Sequence, residues 1–181
     1  MKCIPNNTEM FVSATLGKLR YIDSLQFMET KCDNLVKGCG KFVDLTYHFG
    51  DKANLFTRKR IFPYEYLDDC DRFNKACLPY RDKFYSRLNL ESVFDDDYAY
   101  AKQIWNEFDC ESFGDYHDLY LITDVLLLAN IFENIRHVSV SNYRLDPAGY
   151  YSAPGLCWDV LLKQRKIKLE LMTDLDMLNF I

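Results

Sequence analysis

Apolar positions change their spacing several times along this chain. Residues 10 to 22, MFVSATLGKLRYI, predict two short strands around Gly17. The next stretch, DSLQFMETKCDNLVKGCG, predicts a helix. Thr30 and Asp33 approximate a capping box there, Leu35 and Val36 supply apolar contacts, and Gly38 or Gly40 ends it. Residues 44 to 70 are aromatic without a period, which predicts a packed loop with short helical turns around Pro63. From 95 to 108 the pattern becomes helical, with Tyr98, Ala101, Trp105 and Phe108 on one face and three aspartates in the first turn, where they favour the positive end of the helix dipole. Leu119 to Phe132, started by Asp115 or Asp118, is apolar nearly all round, so the expectation is a buried helix. Asp146 and Pro147 make a turn or helix start, Ser152 and Pro154 open a further helix through Trp158, Leu161 and Leu162, and Thr173 with Asp176 again mimics a capping box. The pattern runs on to Ile181 without a cap, which reads as a cut rather than a natural terminus. The expected fold class is therefore α+β and helix-rich, with a small sheet.

Composition narrows the class. About half of the 181 residues are apolar and 15% are aromatic, enough for a sizeable core, and Gly and Pro are too few for a disordered linker. No run approaches the roughly 20 apolar residues of a membrane span, and the N-terminal MKCIPNNTEM lacks the apolar core of a secretory signal. The seven cysteines are odd in number and contain no CxxC, so reduced, mostly buried thiols in a reducing, intracellular setting are expected. The net charge of −5 argues against a domain devoted to gripping nucleic acid. The charge is uneven, however. Residues 94 to 118 are strongly acidic, whereas Arg58 to Arg60 and the group Lys163, Arg165, Lys166 and Lys168 are basic; each run reads first as a solvated face.

The chemistry concentrates in YHDLYLITDVLLLANIF, residues 116 to 132, where Asp124 stands among hydrocarbon side chains. An ionised carboxylate in such a place needs an arginine, backbone amides or a bound cation. The first two answers are structural. The third is a divalent metal site, for which carboxylate oxygens suit magnesium or manganese. Tyr120 lies one turn earlier on the same face. A phenol there would orient a water activated by the metal, as phosphodiester cleavage requires.

Taken alone, Y-x-x-x-D is a weak pattern, but its context is longer. The words GDYHDLYLITDVLLLANIFENIR, YRLDPAGYYSAPGLCWDVLLK and KLELMTDLDMLNFI resemble the type B DNA polymerases of the protein-primed group, closest to those of Polinton (Maverick) DNA transposons and related viral and organellar elements. GKLRYIDSLQFM, IFPYEYLDD and KFYSRLN resemble the same family in the same order, so the likeness covers about residues 10 to 181. It implies that Tyr120 and Asp124 form the third motif of a 3′-to-5′ proofreading exonuclease, with Asp124 a metal ligand and Tyr120 placing the attacking water. Asp23 and Ser24 take a structural role. It also implies a partial ribonuclease-H-like exonuclease fold over residues 1–140 and a helical extension over 141–181 that leads toward a polymerase domain. In the parent enzyme the implied partners are Mg2+ or Mn2+, DNA, deoxynucleotides and a terminal priming protein, at a nuclear, viral or organellar replication site. No membrane and no stable small-molecule ligand are expected.

The rest of that machinery is not in these residues. The one D-x-E, Asp109 to Glu111, and the near match Asn106 to Asp109 both fall too late in the order, and neither D-x-x-S-L-Y-P nor D-T-D occurs. One carboxylate cannot hold two metals about 4 Å apart. Residues 1 to 181 alone are therefore expected to lack polymerase and useful exonuclease activity and to bind no metal tightly. Two other readings stand beside this one. The chain is a domesticated or decaying transposon remnant that acts as a non-catalytic helical interaction module, or an unrelated helical domain in which Asp124 joins an ordinary hydrogen-bond network.

Overall fold

A computed structural model of the protein describes residues 2–5, 11–28, 35–36, 38–58, 60–88 and 90–169. Among these residues the fold is α+β and helix-rich. Strands β1 (Lys2–Pro5), β2 (Phe11–Leu16) and β3 (Leu19–Ile22) form an antiparallel sheet in that order. Helices follow as α1 (Val43–Phe49), α2 (Asp95–Glu107), α3 (Phe113–Tyr143) and α4 (Ala153–Arg165), with five 3-10 turns between β3 and α2 and one between α3 and α4. The chain divides into two compact units, Thr30–Asn134 on one hand and Met1–Glu29 with Ile135–Ile181 on the other.

In the second of these units, β2 and β3 pair from Ser13↔Ile22 to Leu16↔Leu19, which leaves Gly17 and Lys18 as the loop. Gly17 has φ +61°, and a glycine at the first position of a two-residue hairpin is what a type II′ turn selects. β1 adds to the other side of β2 with a register shift between Ile4 and Pro5. Asp23 caps the 3-10 turn Ser24–Gln26 by accepting from the Leu25 amide, a structural duty in keeping with its expected one. The end of α3 is also locked locally. Arg144 turns left-handed at φ +58°, Ser139 Oγ donates to the Leu145 carbonyl, and Arg136 donates to both oxygens of Asp146 at 3.0 and 2.7 Å. Asp146 also accepts from the Ala148 amide, which starts the 3-10 turn Pro147–Gly149. Arg20 binds the Ala148 carbonyl and lies over the Tyr151 ring, tying β3 to this turn.

The unit Thr30–Asn134 holds an aromatic core. Phe56, Phe113 and Leu45 are fully buried, with Phe84, Tyr100, Ile104 and Tyr116 close behind. Phe62 stacks against Phe113 and Tyr116 and meets Tyr120 at 4.8 Å between ring centroids. The region read as packed loop and turns does contain 3-10 turns, yet it begins with the full helix α1. An apolar periodicity did not announce α1; its N-terminal amide at Asp44 is satisfied from a distance, by Asn130 Oδ1 on α3. Helix α2 forms where the pattern placed it, but its buried face is Tyr100, Ala101 and Ile104, rotated from the expected Tyr98–Ala101–Trp105–Phe108 stripe.

Three further expectations change. Helix α3 begins earlier, at Phe113, because Ser112 and Asp115 bond each other's backbone amides reciprocally, and it extends through Tyr143. It is not buried all round: Leu121, Ile122, Val125 and Leu128 are exposed. The thiols are not mostly buried either. Cys110 is, whereas Cys70, Cys77 and Cys157 are exposed and Cys3 and Cys39 intermediate, all six being free. Cys32 and the two capping boxes at Thr30–Asp33 and Thr173–Asp176 lie outside the described residues.

Candidate functional site

Tyr120 and Asp124 sit one turn apart on α3, as their spacing requires. Helix α3 is anchored on that stretch by Thr123, which is fully buried and bonds the carbonyls of Leu119 and Tyr120 at 2.5 and 3.0 Å. With Thr123 turned to the core, Asp124 is carried outward. Its side chain is 49% exposed, so the expected buried carboxylate is not buried. The ion buried at this place is its partner. Arg60 is 6% exposed and donates through Nη2 to Asp124 Oδ1 at 2.6 Å. The basic run at 58 to 60 therefore does not lie wholly on a solvated face.

Arg60 is held from several sides. Its Nη1 donates to the Tyr120 carbonyl at 3.2 Å, and its guanidinium lies 5.0 Å from the Tyr120 ring centroid and 5.6 Å from that of Phe56. Burial lowers the pKa of Arg60 from its ordinary value, and the charge of Asp124 opposes that. The Tyr120 hydroxyl lies 2.9 Å from that of Tyr64. Burial, and then the Tyr64 hydrogen bond and the Asp124 charge, push the Tyr120 phenol well above the usual tyrosine range. At neutral pH it is a protonated hydrogen-bonding group and not a base. Tyr116, one turn earlier, is pushed up by burial as well and donates to the Ile61 carbonyl. The loop 61–66 is thus sewn to α3 by Ile61, Phe62 and Tyr64. Arg60 Nε and Tyr100 Oη are buried without a hydrogen-bond partner, and a cavity of about 10 Å³ borders Arg60, room for one water molecule.

These residues do not fit a divalent metal centre as they stand. The carboxylate of Asp124 is engaged by a guanidinium, and among the described residues no group of three or more His, Cys, Asp or Glu is placed to hold a metal ion. Asp109 and Glu111 do not join Tyr120 and Asp124; Glu111 and Ser112 instead donate their amides to Asp115 at the start of α3. Comparison with models of protein families, with curated proteins and with solved structures finds no match. No helix among the described residues is long and apolar enough to cross a membrane. Sequence reasoning missed Arg60 and Tyr64 as members of this cluster. The available signal was the requirement that an Asp in an apolar run be paired; nothing in the sequence pattern said which of the many arginines would do it.

Proposed function

We propose that the chain is the later part of the 3′-to-5′ exonuclease domain of a type B DNA polymerase of the protein-primed group, with the start of the segment that leads toward the polymerase domain. The parent acts in DNA replication, on DNA and deoxynucleotides and with a terminal priming protein, at a nuclear, viral or organellar site. Its exonuclease domain is ribonuclease-H-like. The observation that carries this reading is the pair Tyr120 and Asp124, one turn apart on α3, inside several ordered words that resemble the family. Asp124 is half open to solvent, so its carboxylate is reachable from outside. Tyr120 is half-buried among aromatic rings and shares a hydroxyl–hydroxyl hydrogen bond with Tyr64. Magnesium or manganese belongs to the parent enzyme. Because Asp124 is engaged by Arg60, no step of a reaction is routed through a metal in these residues, and residues 1 to 181 alone cleave and extend no DNA.

A second reading is favoured by that same ion pair. A carboxylate neutralised by a buried arginine suits a non-catalytic helical interaction module descended from such an enzyme. Sequencing the transcript across both ends of this reading frame separates the two. A frame that continues upstream through D-x-E and downstream through D-x-x-S-L-Y-P supports the polymerase; stop codons on both sides support the remnant. Incubation of the 181-residue chain with labelled single-stranded DNA and magnesium is expected to leave the DNA intact. Magnesium-dependent cleavage that disappears in Asp124→Ala would overturn the expectation of inactivity.

A further inference from the structure

At the end of α4 it is Lys166, not glycine, that takes the left-handed position, at φ +54°, and its amide and that of Ile167 return to the carbonyls of Lys163 and Leu162. The chain then runs on without helix from Ile167 to Leu169. Beside this helix end lies a groove of about 420 Å³. Its apolar lining is aliphatic, from Leu145, Leu162 and Ile167, and among the described residues no aromatic side chain joins it. Lys163, Lys166 and Lys168 supply three cations, against the single acid Asp159. Asp159 accepts a hydrogen bond from the Tyr150 hydroxyl at 2.8 Å. Lys163 is anchored on the Arg144 carbonyl at 3.1 Å, while Lys166 and Lys168 are exposed. Cations near a helix C-terminus are favourable in themselves, which accounts for Lys163. It does not account for Lys168, beyond the helix, or for Ile167, which lies between two lysines and is 47% exposed.

We propose that this groove docks an acidic, aliphatic segment of a partner protein, a short amphipathic helix with leucine-like side chains on one face and Asp or Glu beside them. The lysines set the sign of the partner. The chain as a whole carries a net charge of −5, so the basic helix end is a local feature and not part of a generally cationic surface. The lining sets what accompanies the carboxylates. Helix-in-groove recognition fills such a lining with aliphatic anchors spaced i, i+3, i+4 and i+7. A strand of nucleic acid suits the groove less. Bases stack on aromatic rings, and the lining has none among the described residues. A continuous line of phosphates would also pass Asp159, where like charge is costly. A peptide carries its carboxylates at discrete positions and can set them against the lysines alone. The proposal does not rest on Tyr120 and Asp124, which belong to the other unit.

The test is fluorescence anisotropy of a labelled synthetic peptide of about a dozen residues, with leucine at i, i+3, i+4 and i+7 and glutamate elsewhere, titrated with the 181-residue chain at several salt concentrations. Lys166→Asn combined with Lys168→Gln removes two charges, and asparagine tolerates the left-handed backbone at 166. Two exposed ion pairs are lost, so the affinity of the double variant should fall roughly tenfold at low salt, and the difference should shrink as salt screens the charges. Ile167→Ala removes part of the aliphatic lining and keeps the backbone bond to Leu162. It should weaken binding roughly fivefold and leave the salt dependence unchanged. Either variant is read only with a circular-dichroism melt that matches the parent chain; if one fails to fold, the other carries the test. A peptide that does not bind the parent chain at low salt, or a folded variant that binds it as tightly, would overturn the proposal. So would equal binding of a polyglutamate peptide without leucine, or tighter binding of an oligothymidylate or an anionic phosphatidylserine vesicle. A chain that dimerises by light scattering, and loses the dimer in the lysine variant, would make the occupant a second copy and overturn it too.

Discussion

Replacing Asp124 with alanine should destabilise the protein more than replacing Arg60 with methionine. The order follows from which partner is buried. Asp124→Ala leaves the guanidinium of Arg60 in place, 6% exposed, without the carboxylate 2.6 Å away that neutralises it. Removing one member of a fully buried ion pair costs about 3–5 kcal/mol. Asp124 is half in solvent, and Arg60 keeps the Tyr120 carbonyl and the faces of Phe56 and Tyr120, so the expected cost is reduced to about 2 kcal/mol, the range of a hydrogen bond to a charged group. Arg60→Met removes the buried charge itself and returns Asp124 to water. It fills similar space with an apolar chain, so about 1 kcal/mol or less is expected. The assay is urea unfolding followed by circular dichroism near neutral pH, with the double variant completing a cycle whose coupling term should be about 1 kcal/mol or more. If Asp124→Ala is neutral or stabilising, the pair does not hold α3 to the loop before Phe62. Asp124 would then be a carboxylate kept at a stability cost, as a ligand waiting for a cation would be.

Two more outcomes follow from groups elsewhere. The guanidinium of Arg136, together with the Ala148 amide, holds the Asp146 carboxyl down to about 2. Its folded pKa lies below its unfolded value, so Asp146 contributes stability that is complete above about pH 4 and lost as the pH falls toward 2. The urea midpoint of Asp146→Asn should lie below that of the parent chain at neutral pH and converge with it in that acid window; a gap that stays constant with pH would refute the assignment. Among the thiols, Cys70, Cys77 and Cys157 should be alkylated first by iodoacetamide, as read by mass spectrometry. Cys110, whose thiol burial pushes up to about 11, should react only on unfolding, and equally fast labelling would contradict its placement.

Local rules account for the parts of the fold that could be read directly. Gly17 between two alternating runs predicts the β2–β3 hairpin, the aspartates before Tyr98 predict the start of α2, and Asp146-Pro147 and Ser152-x-Pro154 predict the turn and helix after α3. What was not legible depends on partners far away in sequence. Helix α1 has no strong period of its own and draws its N-terminal bond from Asn130. β1 is recognisable only beside β2. The same limit applied to the candidate site. Periodicity put Tyr120 and Asp124 on one face, but an apolar run does not say which way each side chain turns. Thr123 turned inward, and a basic run that looked like surface supplied the buried Arg60.

The start of α3 has a consequence for the order in which the protein assembles. Ser112 and Asp115 bond across three residues, so the helix start can close while the rest of the chain is still unfolded. The bonds that fasten the helix to its surroundings span much more chain, 64 residues for Arg60 with Asp124 and 86 for Asp44 with Asn130. Loop-closure entropy rises with the logarithm of that span, and the ordering of the intervening residues adds to it. Local closure therefore precedes the long spans. The expected order is that helix α3 forms early, as a template on which the aromatic loop and α1 settle, and that the charge pair at Asp124 forms late.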